Sequence, residues 1–243
     1  MDALRAGLQA IARNGRLLVV YIAVSIALTM ASGALEWLMI AGPLQGLEDV
    51  AKRLLDLVKL LLSAAAYAAL NAIVFSMLGA DIDRPLWRYK DWQDALKRFF
   101  TPWFLLALSY IVLFRIVLWL GDDNPATQLF LMLACMLFTL HLPIGVAIMH
   151  QGRFEWRYLG DGLKPLLVQL PRMLIPYLCA LYLFFLAMYY SPSIRPSEAN
   201  PLGWIWRAPL FEIVASIFVF GIVATTWCVL MLHRDESDED FDM

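Results

Sequence analysis

The sequence predicts an all-α fold: an integral membrane bundle of six transmembrane helices with both termini cytoplasmic. Three observations predict it. Of the 243 residues, 61% are apolar and 16% charged, whereas a soluble domain carries roughly a quarter charged residues. The apolar residues fall in blocks of about 20, the length a helix rising about 1.5 Å per residue needs to cross a hydrocarbon core of roughly 30 Å. The basic residues, finally, alternate between loops, dense on one side of the blocks and sparse on the other.

The first span is placed at Leu17–Trp37, after Arg5, Arg13 and Arg16. Its run into Ala31-Ser32-Gly33-Ala34 has the form of a secretory leader. The apolar run continues through Leu38-Met39-Ile40, however, so an uncleaved span is expected. The second span is placed at Lys59–Leu78 and the third at Trp103–Leu120, which ends at the turn Gly121-Asp122-Asp123-Asn124-Pro125. The fourth covers Gln128–Met149 and the fifth Met173–Tyr190. A loop rich in turn-formers, residues 191–201, leads to the sixth at Pro209–Leu232. One set of loops holds Arg5, Arg13 and Arg16, then Arg84, Arg88, Lys90, Lys97 and Arg98, then Arg153, Arg157, Lys164 and Arg172, and finally Arg234. The opposite set holds only Lys52, Arg53, Arg195 and Arg207, so the dense set, with both termini, is assigned to the cytoplasm.

Residues 1–234 read as one membrane domain. Within it, Asp2-Ala3-Leu4-Arg5, Asp94-Ala95-Leu96-Lys97 and Asp161-Gly162-Leu163-Lys164 each open an amphipathic stretch ahead of an odd-numbered span. Three units follow as an expectation, 1–80, 81–150 and 151–234, each an interfacial helix plus a hairpin. This order, with Asp2-Ala3-Leu4-Arg5 through Ala12-Arg13-Asn14 leading the first span, resembles the YciC-type six-helix bacterial inner-membrane proteins. The resemblance covers nearly the whole chain and lies in layout. It implies a six-helix bundle in a bacterial inner membrane and carries over no activity and no catalytic residue.

An ionisable side chain at mid-span costs about 2.5–3.5 kcal/mol on insertion scales, so each calls for a partner or a route to water. Glu36, Asp56, Lys59, Arg115 and Glu212 sit toward the outer ends of their spans and form a candidate charge cluster. Arg115 is expected to pair with Glu36 or Glu212, while Asp56 and Lys59 share one helix face. Such a cluster suits an anionic head group or the gate of a polar cavity. Snorkelling side chains and helix-to-helix pairs account for the same residues structurally. His141 with Pro143 is a candidate kink or proton-linked site; a histidine satisfied within the core is the structural alternative. Ser63, Asn71, Thr225 and Thr226 read as interhelical hydrogen-bond formers. Trp87, Trp92, Trp103, Trp119, Trp204 and Trp206 read as interfacial anchors, and Cys135, Cys179 and Cys228 as small packing residues. The tail, 235–243, is expected to be disordered. Its Asp235, Glu236, Asp238, Glu239, Asp240 and Asp242 would meet a basic partner or simply stay solvated.

The sequence has no phosphate-cradling Gly-rich loop and no His-Glu-x-x-His pair, so no enzyme, metal or cofactor is expected. Expected partners are membrane lipids or another membrane protein, with no nucleic acid. Two functional readings remain. Spans rich in Leu, Phe and Trp favour an accessory or scaffold subunit. A cavity reaching Arg115 would instead favour a small transporter or lipid-handling protein.

Overall fold

The computed structural model describes residues 2–83, 92–120, 124, 126–152, 164, 166–190, 195–196 and 202–239. Among them the fold is all-helical, with helices α1 (Asp2–Arg13), α2 (Gly15–Ile40), α3 (Asp49–Ile82), α4 (Trp92–Leu120), α5 (Ala126–His150), α6 (Leu170–Tyr190) and α7 (Trp204–Glu239). Six of these, α2 to α7, are long and apolar enough to cross a membrane. Each expected span lies inside one of them; α2, α3, α5 and α7 run further at both ends, and α4 and α6 at the N-terminal end, because a propagating helix gains one hydrogen bond per residue fixed. At 34 residues, α3 is roughly 50 Å long and overshoots a hydrocarbon core of roughly 30 Å.

The last helix is the central one. Its most apolar window is 61% buried, against 11–28% for the other five, as expected of a helix that is apolar all round. It packs against α1, α2, α5 and α6. Where α2, α3, α4 and α7 converge, Phe75 touches Tyr21, Trp103 and Phe220, with ring centroids 5.3, 5.6 and 6.0 Å away. Three close approaches set the helix separations. A Cβ on Gly79 would lie 2.2 Å from the Trp227 ring, one on Gly145 2.3 Å from Trp103, and one on Gly33 2.5 Å from Trp204.

These contacts correct several expectations. Trp103 and Trp204 are buried core residues, and Trp103 Nε1 donates to Met149 Sδ at 3.2 Å. Trp92 and Trp206 are exposed; Trp87 lies outside the described residues, as does the side chain of Trp119. Helix α1 does not lie alone in an interface. It packs on α7 through Ala3, Gly7 and Ala10, with Gly7 against Thr225, and leaves Leu8 and Arg5 exposed. Small residues make the buried face because they let two helix backbones approach closely. The second amphipathic stretch, at Asp94, is the first part of α4 rather than a separate helix. Helix α3 packs on both α2 and α4.

At the end that holds both termini, Asn14 turns the chain from α1 into α2. Its Nδ2 donates to the Ala10 carbonyl at 2.9 Å and to Asp81 at 2.8 Å, and Arg13 pairs with Asp81 at 3.6 Å. The α7 backbone stays helical to Glu239, into the segment expected to be disordered. The acidic side chains of that segment, Asp235 to Asp242, lie outside the described residues. The three cysteines are free thiols.

Candidate functional site

Polar residues recur every fourth position along the facing sides of two neighbouring helices, Tyr21, Ser25 and Thr29 on α2 and Lys59, Ser63, Tyr67 and Asn71 on α3. A four-residue spacing keeps them on one helix face. They therefore form a polar seam that runs from the end of the bundle opposite the termini toward its middle. Tyr21 donates to Asn71 Oδ1 at 3.0 Å, and the hydroxyls of Thr29 and Tyr67 are 3.0 Å apart.

At the outer end of this seam the charges form a chain. Glu36 pairs with Lys59 at 3.3 Å, Lys59 with Asp56 at 3.0 Å, and Asp56 with Arg115 at 2.8 Å. The partner of Arg115 is thus Asp56, and not Glu36 or Glu212 as the sequence suggests. The close packing of α3 on α4 brings Asp56 against Arg115, while Lys59, one turn further in, takes Glu36. Glu212 stands apart from the chain. Its Oε1 accepts from Thr29 Oγ1 at 2.6 Å and from Tyr67 at 3.5 Å.

Chain and seam enclose a cavity of about 390 Å³. Its rim carries Glu36, Lys59, Arg115 and, from the segment after α6, Arg195. Its walls are aromatic and apolar, including Tyr110, Phe114, Phe138 and Phe184, and its hydroxyl-bearing residues are Thr29, Ser32, Ser63, Tyr67 and Tyr110. With Asp56 behind the rim, three cations face two carboxylates. Among the described residues Arg195 enters no ion pair, and Arg115 has one carboxylate partner and a half-exposed side chain. The volume, the apolar walls and the few convergent polar groups are those of a small-molecule site. A larger groove, about 670 Å³, lies on the flank between α6 and α7. Its one cation, Arg207, lies over the Trp206 ring at 4.9 Å, and it lacks convergent polar groups.

The remaining candidates fall elsewhere. His141 packs between Tyr110 and Phe138, with centroids 5.0 and 5.2 Å away, and its Nδ1–H donates to the Phe138 carbonyl. Pro143 is buried within α5. Asn71 and Ser63 belong to the seam and the cavity, but Thr226 Oγ1 donates to the Ile222 carbonyl of its own helix. Among the described residues no group of three His, Cys, Asp or Glu side chains is placed to hold a metal. Fold and site together define a multi-pass helical bundle of membrane-spanning type with a charged-mouthed, apolar-walled cavity. In comparison with known proteins, the chain matches no family profile, no curated protein and no solved structure.

Proposed function

We propose that this chain is a lipid-handling protein of the bacterial inner membrane that holds an amphiphile with an anionic head group in the cavity between α2 and α6. One observation carries the reading. The cavity reaches Arg115 and sets its cations at the mouth and its aromatic walls behind them. An anion is favoured at the mouth by the excess of cations, of which Arg195 enters no ion pair among the described residues. The acyl part fits the apolar walls, which water solvates poorly. Orientation belongs to the same proposal. With the Arg-rich terminal end in the cytoplasm, the mouth opens toward the outer leaflet.

The accessory-subunit reading rests on spans rich in Leu, Phe and Trp, and the exposed apolar flanks they form are common to any lipid-facing bundle. The amphiphile reading is therefore the stronger one. Native mass spectrometry of the full chain, released from its own membrane in mild detergent, tests it. Wild type is expected to retain an anionic lipid at about one per chain, and Arg115→Ala with Arg195→Ala to lose it. Each charge-assisted contact of this kind contributes about 1.5–3 kcal/mol, so the double variant should weaken retention at least tenfold.

A further inference from the structure

Glu212 lies beside the cavity, separated from it by two hydroxyls. Thr29 and Tyr67 both line the cavity, and both donate to Glu212 Oε1. Among the described residues no ion pair includes this carboxyl. An intramembrane carboxyl is costly when charged, and carboxyls in proton relays are among the recurrent uses of such groups.

The packing of α2 against α7 extends the polar path past it. Gly33 meets Trp204, Thr29 meets Glu212 and Tyr21 meets Phe220, with rings 5.8 Å apart. This antiparallel register sets Ser25 opposite Ser216, one turn beyond the Thr29–Glu212 rung. Both serine hydroxyls are buried, each residue 1% exposed, and neither has a hydrogen-bond partner among the described residues. Buried hydroxyls are nearly always partnered. Ser25 and Ser216 thus extend the polar lining of the α2–α7 contact one helical turn past the carboxyl.

We propose that Glu212 is a proton-binding site coupled to occupancy of the cavity, protonated when an anionic head group is bound and ionised when it is not. This rests on the amphiphile reading. A head group at the mouth and an ionised Glu212 repel each other through a low-dielectric wall, so the anion favours the neutral carboxyl. The proton comes from water at the mouth and binds a Glu212 carboxyl oxygen; no other bond changes. By linkage, affinity for the anion falls as pH rises, by up to about tenfold per pH unit between the midpoints of the bound and free forms.

The groups around Glu212 allow this assignment to be isolated. Tyr67 of α3, Tyr21 of α2 and Tyr110 of α4 lie within its electrostatic reach or adjoin those that do. All are phenols, whose ordinary pKa is about 10. Helix α6 brings Tyr182, which packs on Phe218, and the rim brings Glu36, Lys59 and Arg115. His141 of α5, against Tyr110, is the one other nearby group whose ordinary titration is near neutral.

The test is calorimetric titration of the full chain in maltoside micelles with dioctanoyl phosphatidylglycerol, whose phosphodiester keeps one charge throughout. It is run at a series of pH values in buffers of different ionisation enthalpy. Wild type is expected to take up protons on binding, and Glu212→Gln to bind with no proton uptake and no pH dependence. Binding by wild type without proton exchange overturns the coupling and leaves the amphiphile reading standing. Uptake that persists in Glu212→Gln but vanishes in His141→Gln overturns the assignment to Glu212. If Glu212→Gln does not fold, Tyr67→Phe decides, since loss of its hydroxyl must move the pH of half-maximal uptake; an unmoved value counts against the proposal. Absence of lipid binding at every pH removes the amphiphile reading and the coupling with it.

Discussion

Asp56 stands between two cations at the distal end of the bundle, 3.0 Å from Lys59 and 2.8 Å from Arg115. Neutralising it leaves Lys59 with Glu36 as its partner and Arg115 with none among the described residues. The groups are partly exposed, so the expected loss is about 1 kcal/mol. Thermal unfolding in detergent should place Asp56→Asn about 2–4 °C below wild type and Glu36→Gln nearer to it, with the gap narrowing in high salt. Equal melting of the two variants would contradict the bridging role. The candidate charges are legible in the sequence because ionisable residues are rare in apolar blocks. Their partners are not, since pairing depends on which helices abut. The hydroxyl side of the site does leave a signal in the sequence, though a quieter one than charge. Tyr21, Ser25 and Thr29, and Lys59, Ser63, Tyr67 and Asn71, repeat at intervals of four, and that period alone marks two polar faces.

At the scale of the helix, separations are set by a bulky ring over a glycine. Trp227 and Trp103 are fully buried and rigidly packed, so a methyl group at Gly79 or Gly145 must push helices apart. Gly79→Ala and Gly145→Ala should each destabilise by about 1–3 kcal/mol. At Gly221, in α7, a methyl group would meet nothing within 4 Å, and Gly221→Ala should stabilise by up to about 1 kcal/mol through helix propensity. Thermal unfolding of the three variants checks the contrast, and a uniform response would contradict it. The spans themselves are plain from block length. The tryptophans at their ends are not, because an indole beside a boundary ordinarily lies at the interface, whereas Trp103 and Trp204 are buried where glycines on α5 and α2 receive their rings. The face of α1 is obscured in a related way. Its Leu residues carry the hydropathy, while Ala3, Gly7 and Ala10 carry the contact.

Across the whole molecule, the helices gather most charges at the two ends and place the most buried helix, α7, at the centre. The proposed orientation predicts labelling in intact cells. A cysteine at Glu48 should react with a membrane-impermeant maleimide, and one at Gln9, on the exposed side of α1, only after lysis. The reverse pattern would turn the cavity mouth toward the cytoplasm. Composition and loop charge make the architecture readable, but no local pattern announces a cavity, which arises where the ends of α2, α3, α4, α5 and α6 fail to close on one another. The central claim is that this cavity holds an anionic amphiphile, and native mass spectrometry of the chain in mild detergent measures it most directly. The account predicts about one anionic lipid per wild-type chain, lost in the Arg115→Ala, Arg195→Ala variant. A lipid-free chain that co-purifies in fixed ratio with another membrane protein would contradict it and return the accessory-subunit reading to the front.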